Sequence, residues 1–334
     1  MNRTRTRAAA VVAALSLATL TAYSPGLSAS AAATPRVDPS TQPDAATSLK
    51  QATSTIDRKA AVDALAAVRS VLAPKSATQA RAGLEAGGVE ATMALRDLAV
   101  RADSLDEDDR AEAAAYLSRP TDGSDGDDFT VEYGVPEAAP VCTPDVCVHY
   151  VTGANENEDA PPLADTKNAA GKAGANGIPD YVDTVVRVMT KVHDAYAKAG
   201  YREPRPDAGL GGDDRIDIYL AEIGSRGAYG YCTTDQDNPG PSQPQVYDRW
   251  AYCVLDNDYA GFPNSPLENI QVTAAHEYFH ATQYAYDAFE DPWFLEATAT
   301  WAEDEVYDGV DDNVQYLKTS PLTAPFLPLD YFVS

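Results

Sequence analysis

A well-marked helix start precedes two histidines that lie one helical turn apart. Ser265 is followed by a proline and, three residues on, by Glu268, which is the pattern of an N-terminal capping box. The helix that begins there carries His276 and His280, and residues four apart lie on the same face of an α-helix. Two imidazoles at that spacing can bind one metal ion. This feature constrains the fold most, because the helix must bring both rings against a further ligand from elsewhere in the sequence.

Glu277 and two later glutamates supply the carboxylates that such a site needs. Glu277 is placed to take a proton from a metal-bound water rather than to bind the metal. No histidine follows His280, so the third ligand is expected to be a carboxylate. Asp291 and a proline begin the next predicted helix, on which Glu296 and Glu303 are seven residues apart and share a face. Two histidines, one glutamate and a water form a known catalytic zinc sphere.

The two helices together resemble the gluzincin pattern, in which a His-Glu-x-x-His helix is followed by a helix with a tryptophan-anchored glutamate. The matching stretches are HEYFHATQYAYD and WFLEATATWAED. The resemblance implies that His276 and His280 are zinc ligands, that Glu277 is the general base and that Glu296 is the third ligand. The resemblance also implies that Glu303 contacts the ligands without binding the metal. Direct metal binding by Glu303 is the alternative.

A wider resemblance to a family of secreted bacterial zinc metalloproteases covers roughly residues 129–320. It rests on NGIPDYVD (176–183), DDRIDIYL (213–220) and LDNDYAGF (256–263) as well as on the two helices. The resemblance implies a zincin-like α+β domain, a peptide or protein substrate and hydrolysis of peptide bonds by a glutamate-activated, zinc-bound water.

The chain departs from the gluzincin pattern in two ways. Only 15 residues separate His280 from Glu296, and only 31 follow Glu303, where gluzincins usually have a helical subdomain that closes the cleft. We therefore expect the catalytic domain to be incomplete at its C-terminus or to leave its cleft open. The residue that stabilises the oxyanion is not assigned, and the candidates are Tyr284, Tyr286 and Tyr307.

The N-terminal residues 1–33 have the pattern of a secretory signal peptide. Arg3, Arg5 and Arg7 form a positive segment, an apolar run follows to about residue 22, and small residues at 29–31 suit cleavage. The apolar run is shorter than the ~20 residues that a membrane span needs. We expect a secreted, extracellular protein without a membrane anchor once the signal is removed.

The four cysteines agree with export. An even number of cysteines in an exported chain favours disulfides, and pairing of nearest neighbours joins Cys142 to Cys147 and Cys232 to Cys253. Four cysteines allow three pairings, so the other two stay open. A zinc site built from these cysteines is disfavoured because no C-x2-C spacing occurs.

The net charge of -26 excludes one class of partner. Acidic residues outnumber basic ones by 51 to 25, so no basic surplus exists to neutralise nucleic-acid phosphates. Neither the G-x-S-x-G pattern of serine hydrolases nor a phosphate-binding P-loop is present.

Composition divides the remaining chain into a helical region, a linker and a catalytic domain. Residues 34–119 are rich in alanine, with helices predicted at 56–73, 89–103 and 104–117, the last from a Ser104–Glu107 capping pattern. Two interpretations stay open: a packed helical subdomain, or a pro-segment that assists folding or blocks the site. Residues 120–128 form an acidic linker, and residues 129–334 the catalytic domain.

Residues 129–334 alternate between strand and helix patterns in an order typical of an α+β fold. Strands are predicted at 129–133, 147–151, 216–220 and 251–255, and helices at 179–199, 265–286 and 292–306.

Two loops are compared with calcium sites. Residues Asn176–Asp180 resemble the end of an acidic calcium loop, but the run is broken and a turn with a helix cap is favoured. Asp256, Asn257 and Asp258 are the second candidate, for which a solvated loop is favoured.

The sequence therefore predicts a secreted zinc metallopeptidase. The first alternative is an exported zinc-binding module that is inactive or incomplete without further C-terminal sequence. The second is a secreted binding protein with a chance motif.

Overall fold

The structure is a computed structural model that describes residues 45–85, 88, 91–123, 130–155, 158–238, 246–319 and 323–328. The chain divides into two units, residues 1–47 and 48–334, and only the last three residues of the first unit are described. The predicted signal peptide and residues 124–128 of the predicted linker lie outside the described residues. Among the helices that are described, none has the length and apolarity to cross a bilayer.

A five-stranded mixed sheet forms the centre of the second unit. Its strands are β1 (Val141–Cys142), β2 (Val146–His149), β3 (Ile216–Ala221), β4 (Gly230–Thr233) and β5 (Tyr252–Asp256). Their order across the sheet is β1-β2-β3-β5-β4. Strands β2, β3 and β5 are parallel, and the two outer strands β1 and β4 are antiparallel to their neighbours. The predicted α+β class is confirmed at this level.

Both predicted disulfides are confirmed, and each one joins the two strands of an antiparallel pair. Cys142 lies directly opposite Cys147 in the β1–β2 register, and Cys232 lies opposite Cys253 in the β4–β5 register. The two outer strands of the sheet are therefore covalently tied to their inner neighbours.

Four helices precede the sheet in the chain. They are α1 (Ala45–Leu72), α2 (Ala77–Glu85), α3 (Thr92–Arg101) and α4 (Glu107–Tyr116). Helix α2 was not predicted. Helix α4 is capped by the side chain of Asp106, which accepts a hydrogen bond from the Asp109 amide, so the predicted Ser104 cap is wrong. A carboxylate accepts a hydrogen bond from a backbone amide as well as a serine hydroxyl does. The sequence alone therefore did not distinguish the Asp106 cap from the Ser104 cap.

Three further α-helices belong to the rest of the domain. They are α5 (Asp180–Ala199), α6 (Pro266–Tyr284) and α7 (Pro292–Tyr307), close to their predicted bounds. The capping box at Ser265 and Glu268 is present: the serine side chain accepts from the Glu268 amide, and the glutamate accepts from the Ser265 amide. This cap fixes where α6 begins and hence which way its residues face.

The sheet has a hydrophobic core on each face. Alternate residues of β3 divide between them: Ile218 and Leu220 pack with α5, α6 and α7, whereas Tyr219 and Ala221 pack with α1, α3 and α4. Helices α1, α3 and α4 therefore cover one face of the sheet, whereas Leu84 of α2 and Met93 of α3 reach the core on the other face. All four helices share a core with the sheet.

The predicted strand at 129–133 is wrong in the described residues 130–133. Val131 and Tyr133 are buried in the second core, but neither belongs to a strand. The Tyr133 amide donates to the Pro120 carbonyl, and its hydroxyl donates to the carbonyls of His149 and Leu220. The alternating apolar pattern thus reflects burial of the side chains without pairing of the backbone.

Candidate metal centre

Helix α6 brings the two predicted imidazoles together. The Nε2 atoms of His276 and His280 are 2.9 Å apart, and the rings meet edge to face. His280 is fully buried, whereas 13% of the His276 side chain is exposed, so the pair opens to solvent on one side. The one-turn spacing that the sequence predicted is the cause, because both rings project from the same face of the helix.

Helix α7 adds the carboxylate of Glu296. One of its oxygens lies 3.3 Å from His276 Nε2 and the other 3.3 Å from His280 Nε2. These three residues form one of two groups of potential ligands whose atoms converge within 4.8 Å in the described part of the chain. Glu296 Oε1 is buried and has no hydrogen-bond partner.

The spacing of these atoms fits a tetrahedral ion. Zinc bonds of about 2.0–2.1 Å place neighbouring ligands about 3.3 Å apart in a tetrahedron. Each imidazole nitrogen has one Glu296 oxygen at this distance, Oε2 for His276 and Oε1 for His280, and the nitrogen–nitrogen distance of 2.9 Å needs only a small opening of the rings. The orphaned Glu296 oxygen and two facing imidazole nitrogens are therefore a donor set suited to one cation.

Glu303 contacts the other side of the His276 ring. Its Oε1 lies 2.6 Å from His276 Nδ1, whereas Glu296 faces Nε2. In this arrangement the Glu303 carboxylate can accept a hydrogen bond from His276 Nδ1–H, while Nε2 faces Glu296 and His280; carboxylates commonly make such a contact behind histidines that bind zinc. The two glutamates that the sequence left as alternatives therefore contact different nitrogens of His276.

Gln283 has the same role for His280, and the sequence interpretation missed it. Its Oε1 lies 2.8 Å from His280 Nδ1, and its Nε2 donates to the Leu295 carbonyl and the Thr298 hydroxyl. These bonds fix the ring of His280 and tie α6 to α7. The available signal was the spacing of three residues after His280, which places Gln283 over the same helical face.

The acidic surroundings favour the positively charged form of the His276 ring. Burial opposes the charged form of His276, but its hydrogen bonds with Glu296 and Glu303 outweigh burial and hold its pKa well above the ordinary value. Burial also opposes the charged form of Glu296, but His280 and His276 hold the pKa of this carboxyl well below its usual range. A cation held between the rings would occupy the same favourable field.

Glu277 lies beside this group and is itself buried. Burial raises the pKa of its carboxyl to about 7, against the opposing influence of His276 and of a hydrogen bond from Thr92. The Thr92 hydroxyl lies 2.9 Å from Glu277 Oε2. Gly230 of β4 packs against the same side chain: a Cβ there would lie 3.1 Å from Glu277 Cγ and 2.7 Å from a methyl of Thr273.

The three candidate tyrosines have different surroundings. Tyr284 is fully buried, with its ring 6.5 Å from the ring of His280. The hydroxyl of Tyr286 accepts a hydrogen bond from the Arg202 amide, and the Lys191 ammonium lies over the face of the Tyr307 ring. These contacts do not assign an oxyanion donor.

The second group of potential ligands, Cys147, His149 and Asp217, is a buried ion-pair cluster. Cys147 is in a disulfide, and the two ring nitrogens of His149 contact Glu137 at 2.5 Å and Asp217 at 2.9 Å. Arg119 joins the cluster through Asp217 and two further aspartates, Asp207 and Asp235. Every potential ligand therefore has another partner.

The residues compared with calcium loops accept hydrogen bonds from backbone amides instead. Asp165 accepts from the amides of Asn176 and Gly177, and Asp180 accepts from Thr166 and Lys167. Asp256 accepts from four backbone amides, at residues 223, 224, 258 and 259. These contacts agree with the turn and cap interpretation, which was favoured over calcium.

Comparisons with protein-family models, with curated proteins and with solved structures find no match to this chain. The likeness to gluzincins therefore rests on the residue pattern, and the function is inferred from the site itself.

Proposed function

We propose that this protein is a secreted zinc metallopeptidase with a zincin-like domain. The observation that carries the proposal is the convergence of His276, His280 and Glu296 on one point, with the carboxylate of Glu277 beside it. The two disulfides are compatible with an extracellular location and support the proposed secretion.

In the proposed site His276, His280 and Glu296 hold the zinc. The ion would supply Lewis-acid polarisation of the scissile carbonyl and lower the pKa of water to about 7. Glu303 and Gln283 keep the Nδ1 protons of the two histidines in place, so that both rings present Nε2.

Glu277 is the proposed general base. Its carboxylate accepts a proton from the attacking water and then passes that proton to the leaving amine. The hydrogen bond from Thr92 holds this buried carboxyl beside the histidine pair. Gly230 allows β4 to lie close to this side chain, so the edge of the sheet borders the site.

The substitution Glu277→Gln tests the proposal. The variant keeps the size of the side chain but cannot accept the proton, so we expect it to bind one zinc and to lose cleavage of a quenched-fluorescence peptide library. Equal cleavage by wild type and variant would refute the assigned base. One bound zinc without cleavage by any form of the chain would instead favour the exported, inactive zinc-binding module.

A further inference from the structure

Thr92 joins the proposed general base to the neighbouring strand of the sheet. It is the first residue of α3 and is completely buried. Its hydroxyl donates to Glu277 Oε2 at 2.9 Å and accepts a hydrogen bond from the Cys232 amide at 3.0 Å. A hydroxyl carries one proton, and the bond from the amide leaves that proton for the carboxylate. Strand β4 therefore orients Thr92, and Thr92 in turn orients Glu277.

The Thr92 hydroxyl is the group that holds the Glu277 carboxylate. Within the described part of the chain, no other residue donates a hydrogen bond to the carboxylate oxygens of Glu277. The rest of this residue is packed against β4: a Cβ at Gly230 would lie 3.1 Å from Glu277 Cγ, and Cys232 Sγ lies 2.8 Å from the Glu277 carbonyl oxygen. Removing the hydroxyl should therefore misdirect the base without emptying the metal site.

Other residues of α3 hold Thr92 in place. Met93 packs in the core that contains α6 and α7, and Leu95 packs in the core on the other face of the sheet. Arg96 is 3% exposed, and its guanidinium donates to the Ala288 carbonyl, between α6 and α7, at 3.5 Å. Helix α3 therefore contributes to both cores and cannot leave the sheet without opening both.

Helices α1–α4 together with Arg119, which we call the helical region, cover apolar surface of the sheet. Tyr219, Tyr231, Tyr252 and Val254 are each at most 1% exposed, in the core that they share with α1, α3 and α4. Without these helices the sheet would expose them as one apolar patch, which monomeric soluble proteins rarely do. Arg119 follows α4 and is buried against three aspartates of the catalytic domain, which would lose their cation.

We propose that Thr92 is a positioning residue for Glu277 and that the exported enzyme keeps the helical region that carries it. The positioning role rests on the proposed peptidase function, whereas retention of the helical region rests on the shared cores alone. Of the two interpretations that the sequence left open, this one is the packed subdomain. A pro-segment that is cut off would take Thr92 out of the site and leave Glu277 unheld.

Three variants of the full-length, zinc-loaded chain test the positioning role. Thr92→Val keeps the shape of the side chain but removes both hydrogen bonds, and Thr92→Ser keeps the hydroxyl. Thr233→Val on β4 is the matched control, because Thr233 is also completely buried and its hydroxyl has no partner among the described residues. Side chains alternate along a strand, so Thr233 points away from the face on which Gly230 and Cys232 contact Glu277.

We expect Thr92→Val to lower kcat for a quenched-fluorescence peptide about 10- to 100-fold, with KM and bound zinc unchanged. A hydrogen bond to a charged group is worth about that much, and this one acts on the base and not on substrate binding. Thr92→Ser should retain most of kcat, and Thr233→Val should cleave as wild type does. Equal cleavage by wild type and a zinc-loaded Thr92→Val would overturn the positioning role. An equal loss in Thr233→Val would overturn it too, because the effect would then not depend on contact with Glu277.

Two measurements do not need activity. In a double-mutant cycle of Thr92→Val and Glu277→Ala, the changes in the urea unfolding transition should be non-additive, and additive changes would mean that the two side chains do not interact. The intact mass of the chain collected from the culture medium should show that it begins before Thr92. A fully active exported chain that begins after Thr92 would overturn the proposal.

The outcomes separate this proposal from the proposed function. If wild type cleaves peptides and Thr92→Val does so equally well, the peptidase function stands and the positioning role is wrong. If no form of the chain cleaves any peptide although each binds zinc, the peptidase function fails and the positioning role fails with it. Retention of the helical region is then decided by the intact mass alone.

Discussion

The two glutamates of α7 should contribute very differently to zinc binding. Glu296 faces the Nε2 atoms of both histidines at 3.3 Å, whereas Glu303 contacts only His276 Nδ1 at 2.6 Å. The substitutions Glu296→Gln and Glu303→Gln remove one negative charge each and keep the size of the side chain. Glu305→Gln on the exposed face of the same helix is the matched control.

Typical energies of zinc sites set the expected size of each effect. Structural zinc sites are worth about 10–16 kcal/mol for four ligands, so losing one charged ligand should cost about 3 kcal/mol, or about 150-fold in affinity. A carboxylate that only orients a ligand typically contributes about 10- to 100-fold. We therefore expect Glu296→Gln to weaken zinc binding more than Glu303→Gln, and Glu305→Gln to leave it unchanged.

Competition against a chromogenic zinc chelator at fixed pH measures the three dissociation constants. Circular dichroism of each apo variant shows whether the fold is retained, so that loss of zinc is not confused with unfolding. A larger loss in Glu303→Gln than in Glu296→Gln would refute the assignment, because it would mean that Glu303 binds the ion directly.

Three further predictions concern the sheet and its buried charges. Arg119→Met leaves three aspartates without their buried cation and should lower the free energy of unfolding by about 3–5 kcal/mol in urea titrations; an unchanged midpoint would contradict this. Burial opposes the charged form of His149, but its carboxylate partners raise its pKa to about 9 from 6.5, so the stability it provides is complete below pH 6.5. That stability, up to about 3 kcal/mol, should disappear as the pH rises to 9, and His149→Gln should flatten the pH profile measured by denaturant unfolding. Gly230→Ala should displace Glu277 and reduce peptide cleavage with zinc content unchanged, whereas Gly309→Ala, which faces open space, should have no effect.

The reliable sequence predictions concerned features that neighbouring residues determine. The capping box at Ser265 and Glu268 marked the start of α6, and the four-residue spacing placed His276 and His280 on one face. The disulfides followed from nearest-neighbour pairing, because each joins two strands that are consecutive in the chain.

Short or backbone-irregular segments were less predictable. Strand β4 has four residues and was not identified, although its edge borders the site. The alternating pattern at Val131 and Tyr133 correctly indicated that both side chains are buried, but it wrongly indicated a β-strand. Strand pairing depends on which other segment of the chain lies alongside, and the local sequence does not specify that segment.

The sequence by itself determined the candidate residues of the site: two histidines and a glutamate on one helix, and two glutamates seven residues apart on the next. Helical periodicity is a local property, so it could place each pair on a face. Only the tertiary structure decided that Glu296 contacts Nε2 of both histidines and that Glu303 contacts Nδ1 of His276. The packing of α7 against α6 determines which turn of one helix lies opposite which turn of the other. The tertiary structure alone brought Thr92 to Glu277 across 185 positions of the chain, since no local pattern encodes a contact between residues so far apart.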